Sequence, residues 1–274
     1  ISTCIFKVSG LQPELWSPVT GDMKNIASFK EGDGKIKFEL AFDDAQSYFV
    51  VFRNKYAQPK YGIEQSSPSQ REILNLTGTW EVLFDSAWGG PVKPLIINQL
   101  EDWTKNPDAG IKYYSGTAVY KTTFDFDMRH KGDSRSPLYL DLGIVKHIAS
   151  VTLNGKKLGV LWTAPWTIEI SEGLLKTKNN RLIIEVSNVW ANRLIGDEQE
   201  SDDCEWLKGQ MGDYLPGHKA GRYLKEFPDW FVKKQRRPSA GRYCFTTWKY
   251  FTKDSPLISS GLLGPVKIMT VRNK

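Results

Sequence analysis

The densest concentration of reactive side chains in this sequence is an acidic run, Asp197, Glu198, Glu200, Asp202, Asp203 and Glu205. Two carboxyl groups held about 5 to 9.5 Å apart across a sugar-sized cleft can cleave a glycosidic bond, one of them poised as the acid. Acids spaced closely along one loop give no sign of facing each other across a ligand, so no catalytic residue is assigned. The run also presents oxygen ligands of the kind calcium takes, yet its spacing matches no calcium loop. Metal content stays open on this reading; a structural calcium is the one ion considered, and no other cofactor is expected. His130, His147 and His218 lie far apart and show no zinc spacing. Cys4, Cys204 and Cys244 are an odd number without metal-like spacing. They encode no disulfide framework, although Cys204 and Cys244 can pair across the segment between them.

A second kind of chemistry is sugar recognition. Ten Trp and eleven Tyr supply faces that stack on a pyranose while neighbouring polar groups bond its hydroxyls. In Trp162-Thr163-Ala164-Pro165-Trp166 a proline beside two aromatics makes a stiff loop, and binding concentrates on loops at the ends of a scaffold. In Asn192-Arg193-Leu194-Ile195-Gly196-Asp197 donors and acceptors crowd together, with Gly196 allowing close backbone approach. The candidate carbohydrate contacts are therefore Trp162, Trp166, Asn192, Arg193 and Asp197. Structural alternatives stand beside them. Trp80, Trp162, Trp166, Trp190 and Trp248 adjoin strand-like runs, as core tryptophans do, and Arg193 and Asp197 can form a salt bridge that fixes the loop's path.

The elements that must position these residues read as strands. Runs at 3–8, 35–42 and 47–52, then at 78–84, 115–126, 136–142, 150–153, 166–170, 181–189, 242–249 and 264–271, alternate or cluster β-branched and aromatic residues between turn formers. Asn154-Gly155 supplies the two positive-φ positions of a type I′ hairpin. The only helix candidates, around 95–103 and 203–211, are short. Many short strands with almost no helical period predict an all-β sandwich or jelly roll. The stretch 56–71, rich in Gln, Ser, Pro and Lys, reads as a linker between two units.

With 40% hydrophobic and 25% charged residues the chain can bury a core, and no stretch reaches the roughly 20 apolar residues of a membrane span. Lys and Arg number 37 against 31 Asp and Glu, a net charge of +6. The basic residues are scattered, which argues against a nucleic-acid partner. The cluster Lys233, Lys234, Arg236 and Arg237 follows the acidic run closely enough for mutual neutralisation. Ile1 in place of Met, without a basic start or a continuous apolar stretch, points to an N-terminus further upstream.

Read in order, Gly78-Thr79-Trp80-Glu81-Val82, the strand 116–124, Leu140-Asp141-Leu142-Gly143 and the hairpin 151–159 resemble the galactose-binding-like jelly rolls attached to many glycoside hydrolases. From Trp190 onward, Asn192 to Gln199, Pro228-Asp229-Trp230, Arg237-Pro238-Ser239, Arg242 to Trp248 and Ser259 to Val266 are similar to the C-terminal end of glycoside hydrolase family 106, typified by α-L-rhamnosidases. Upstream, 13–21 and 47–52 resemble the sandwich that precedes the jelly roll there. The resemblance implies a small or partial antiparallel β-sandwich at 1–62, the C-terminal part of an upstream domain, and a galactose-binding-like jelly roll at 63–274 with a long insertion near 197–240. It also implies an exported parent whose catalytic carboxylates and calcium site lie in a separate upstream barrel, which needs about 250 residues of alternating strand and helix not found here. The implied partners are that catalytic domain and carbohydrate, including a rhamnose-containing glycan.

Overall fold

The computed structural model describes residues 1–42, 46–55, 69–131, 136–209 and 221–272. The expected boundary at 62/63 and His218 fall outside these residues, as does part of the expected insertion.

Every strand pair in the sheets is antiparallel, so the all-β expectation holds. The larger unit is a sandwich. Its six-stranded sheet runs Lys156–Leu161, Ile148–Leu153, Asn180–Ser187, Thr117–Phe124, Trp80–Leu83 and Leu95–Ile97. Its four-stranded sheet runs Thr167–Ile170, Leu138–Asp141, Lys267–Arg272 and Ser69–Asn75. Strict alternation in Asn180–Ser187 turns Leu182, Ile184 and Val186 to the core, where they meet Ala118, Tyr120 and Val151. The Trp80 expectation of a core role holds: its ring is buried edge-on against Tyr120. The Tyr120 hydroxyl, pushed up to about 12 by burial, accepts from Trp103 Nε1 at 2.6 Å and from the Leu262 amide at 3.2 Å. Its polar end is thereby satisfied inside an apolar core.

The N-terminal unit is made of two three-stranded sheets, Ser2–Phe6, Lys35–Leu40, Lys30–Gly32 and Met23–Asn25, Leu11–Trp16, Phe49–Lys55. They close over a core of their own, Ile26, Phe29, Ile36, Phe38 and Leu40. Pro13 sits inside a strand because a register shift between Gln12 and Pro13 interrupts the ladder there.

Several expectations need correction. Around 95–103 there is a strand, Leu95–Ile97, and then a 3-10 turn at Trp103–Lys105, not a helix. Around 203–211 the described residues are irregular apart from an isolated bridge, Trp206 to Leu224. The run 242–249 is strand only at Trp248–Lys249. Of the stretch 56–71 expected as a linker, the last three residues belong to strand Ser69–Asn75, which pairs with Lys267–Arg272, and 56–68 lie outside the described residues. The hairpin turn is as expected, with φ of 50° at Asn154 and 83° at Gly155.

Candidate functional site

Strand register gathers the candidate residues at one end of the sandwich. Leu161 pairs with Ala149 and Ala149 with Val186, so the loop 162–166 and the chain leaving Ser187 emerge from the same end, two strands apart. Trp162 and Trp190 are both 55% exposed there, and Trp190 stands edge-on to Trp88 at 5.4 Å. Trp166 instead packs partly against the main core, while its carbonyl accepts the Leu142 amide at 2.8 Å.

Beyond Trp190 the chain forms a helix, Ala191–Asp197, rather than a loop. It carries no side-chain cap, so it lacks the usual start signal. Tertiary contacts hold it. Asn192 donates to the Ile258 carbonyl at 2.7 Å and to Ser260 Oγ at 3.1 Å, and accepts the Ile258 amide at 2.8 Å. Arg193 Nε donates to Asp197 Oδ1 at 2.9 Å, and the guanidinium lies 4.8 Å from the Tyr243 ring centre. Asp197 also accepts the amides of Tyr243 and, at 2.7 Å, Cys244. Asn192, Arg193 and Asp197 are all buried. Their polar capacity is directed into the fold, as the salt-bridge alternative expects. The close approach at Gly196 is to Tyr113: a Cβ there would come within 2.5 Å of the Tyr113 Cβ.

The helix forms one side of a groove of about 520 Å³, lined by Leu194, Asp197, Glu198, Arg242 and the segment 244–251. Sequence reading took Asp197 alone of this lining as a carbohydrate contact, placed Glu198 in the acidic run and Trp248 among core-like tryptophans, and missed the groove itself. Arg242 Nε donates to the Ser201 carbonyl at 2.8 Å, Nη1 to Glu198 at 3.2 Å, and Nη2 to the Glu200 carbonyl at 3.0 Å and Asp202 at 2.9 Å. Lys249 Nζ lies 2.6 Å from Glu198 and 2.7 Å from Asp202. Thus Arg242 and Lys249 share Glu198 and Asp202 in one network beside the groove, while Arg193 and Asp197 form a separate buried pair. Trp248, 40% exposed, stands edge-on to Tyr250 at 5.3 Å, and Phe245, Phe251 and Leu194 add apolar wall. By contrast, a void of about 10 Å³ in the main core, beside Val82, Trp103 and Tyr120, has room only for a water molecule.

Among the described residues no group of three His, Cys, Asp or Glu comes together as a metal site. The carboxylates of Asp197, Glu198, Asp202, Asp203 and Glu205 are paired with cations instead. Lysines 233 and 225 pair with Asp229 and Glu205, and Arg237 pairs with Asp203, so neutralisation of the run draws on Arg193, Arg242 and Lys249 more than on the cluster 233–237.

Asp203 ties down the far side of this segment. Burial alone would raise its carboxyl, but hydrogen bonds from Arg237 and Ser239, with the Arg237 charge, override that and hold it down at about 2. Ser239 Oγ donates at 2.6 Å, and Arg237 also donates to the Cys244 carbonyl at 2.8 Å. A carboxyl whose folded value is depressed stabilises the fold above its ordinary range and loses that contribution as pH falls through the folded value. The expected contribution at neutral pH is about 2 kcal/mol, lost between roughly pH 4 and pH 2. Urea unfolding across that interval checks it: Asp203→Asn is expected to be less stable at pH 7 and to lose less between pH 4 and pH 2.

Cys204 and Cys244 are free thiols rather than a bridge. Burial first, then the neighbouring carboxylates Asp203 and Asp197, push each up to about 11. Thiolate is the reactive form, so both are expected to alkylate slowly at pH 8 and quickly once the chain is unfolded, as mass spectrometry of iodoacetamide-treated protein would read.

No helix of the described residues is long and apolar enough to cross a membrane. No protein-family model matches the chain. A curated protein of Formosa agariphila, named "Putative beta-glucuronidase", is 40% identical over 201 residues, which are 73% of this chain and 16% of that protein. The solved structure of a rhamnosidase from Novosphingobium sp. PP1Y is similar over 97% of this chain and 21% of its own, with a TM-score of 0.68 and 30% identity. The chain therefore spans only a small part of either relative, and it is glycoside-hydrolase-like in that restricted sense.

Proposed function

We propose that this chain is a non-catalytic ancillary β-sandwich region of a larger, exported, polysaccharide-degrading glycoside hydrolase of α-L-rhamnosidase-like type, which supports the catalytic domain and contacts glycan. The observation that carries the reading is the match along 97% of the chain to a rhamnosidase of which it makes up 21%. Sandwich regions of this kind give a catalytic domain a rigid neighbour, and the groove beside helix Ala191–Asp197 supplies aromatic faces and hydrogen-bonding groups together. The same groove favours a second role, as a carbohydrate-binding module able to act alone.

Deleting this region from the full-length parent tests the proposal. The expected result is a lower melting temperature and a larger loss of activity on polymeric substrate than on an aryl glycoside. Unchanged stability and unchanged polymer hydrolysis would overturn the supporting role. Turnover of aryl rhamnoside by the 274-residue chain alone, abolished by changing its acidic residues, would overturn the non-catalytic assignment.

A further inference from the structure

Resting on the reading of this region as glycan-contacting, we infer that the groove between helix Ala191–Asp197 and segment 244–251 is a subsite for a neutral pyranose and discriminates against uronic-acid residues. The groove has what a sugar ring needs. Trp248 and Tyr250 present exposed aromatic surface at its wall, and such surfaces stack on the C–H face of a pyranose. Thr246, Thr247 and the polar ends of the other lining residues lie beside them to meet hydroxyls.

Charge sets the class of ligand. The cations at the groove, Arg242 and Lys249, are both held by Glu198 and Asp202, and Arg193 behind them is held by Asp197. Among the described lining residues no cation is left over for a ligand carboxylate. A uronate placed here would face Asp197 and Glu198 in the lining and would have to break an existing ion pair of Arg242 or Lys249 to gain a partner. A hydroxyl has no such difficulty, because the Glu198 oxygens, each holding one cation, retain acceptor capacity, and the ammonium of Lys249 carries three N–H groups against two carboxylate partners. The groove is thus polar without net charge, which fits a hexose, pentose or 6-deoxyhexose ring and disfavours a hexuronate.

Calorimetry on the 274-residue chain with a panel of neutral oligosaccharides, set beside hexuronate-containing ones, tests the inference. At least one neutral oligosaccharide is expected to bind about tenfold more tightly than any uronate on the panel, and Trp248→Ala or Tyr250→Ala to weaken it about tenfold with circular dichroism unchanged. Asp202→Asn, at a half-exposed position, leaves Lys249 and Arg242 undercompensated and is expected to narrow the preference by strengthening uronate binding. Tighter binding of uronates, no binding of any glycan, or neutral binding indifferent to both aromatic substitutions would each overturn it. The deletion experiment on the parent reads the supporting role independently, so failure of one is distinguishable from failure of the other.

Discussion

Replacing Asp197 with Asn is expected to lower stability by about 3–5 kcal/mol, because it removes one charge of a buried pair and strands the other. The Asp197 side chain is 3% exposed and that of Arg193 7%. Its two oxygens hold the Arg193 guanidinium and the amides of Tyr243 and Cys244. An amide in its place turns an N–H₂ toward donors and leaves the guanidinium uncompensated. For a unit of this size the loss corresponds to a melting temperature lower by roughly 10 °C. Because the Cys244 amide is one of the bonds broken, the variant should also expose the Cys244 thiol to alkylation well before global unfolding. Adding Arg193→Met should recover part of the loss, since no unpaired charge then remains. A single variant with wild-type stability would mean that the segment carrying the groove wall is held by something other than this carboxylate.

The second large effect is expected at Gly143. This glycine closes the Leu140-Asp141-Leu142-Gly143 motif, has φ of 67°, and bridges Gly264, itself at φ 67°. A Cβ on Gly143 would run into the Gly264 carbonyl and reach within 2.6 Å of the Pro265 nitrogen. Gly143→Ala should therefore cost the left-handed strain of about 1 kcal/mol and a backbone displacement of about 1–3 kcal/mol besides. Gly155 is the matched control: its φ is 83° but a Cβ there meets nothing within 4 Å, so Gly155→Ala should show the strain alone. Denaturant midpoints of the two variants separate the terms, and equal losses would count against the packing argument.

These two sites differ in how much of them was legible beforehand. Leu140-Asp141-Leu142-Gly143 and the run Ser259 to Val266 both stood out as parts of the family resemblance, but nothing in either said that they meet, since the contact joins strands far apart in the chain. The carbohydrate contacts expected at Asn192, Arg193 and Asp197 were chosen for polar groups crowded on adjacent residues. The structure turns those groups inward, because Ile258, Ser260 and Tyr243, distant in the chain, come against the helix that carries them and take up their hydrogen bonds. The Arg242 to Trp248 run alternates like a strand, but without a neighbouring strand to pair with over most of its length it becomes groove wall.

What the amino-acid order determined unaided was local: the period-2 alternation that makes these segments strands, and the Asn154-Gly155 turn. Those features act within a few residues and survive any arrangement of the rest. The partners of the charges in and beside the groove, the burial of Asn192, and the division of tryptophans between core and surface were decided only by tertiary structure. Each depends on which distant segment comes to lie opposite, and that is settled by how the sheets and the helix bury apolar area together.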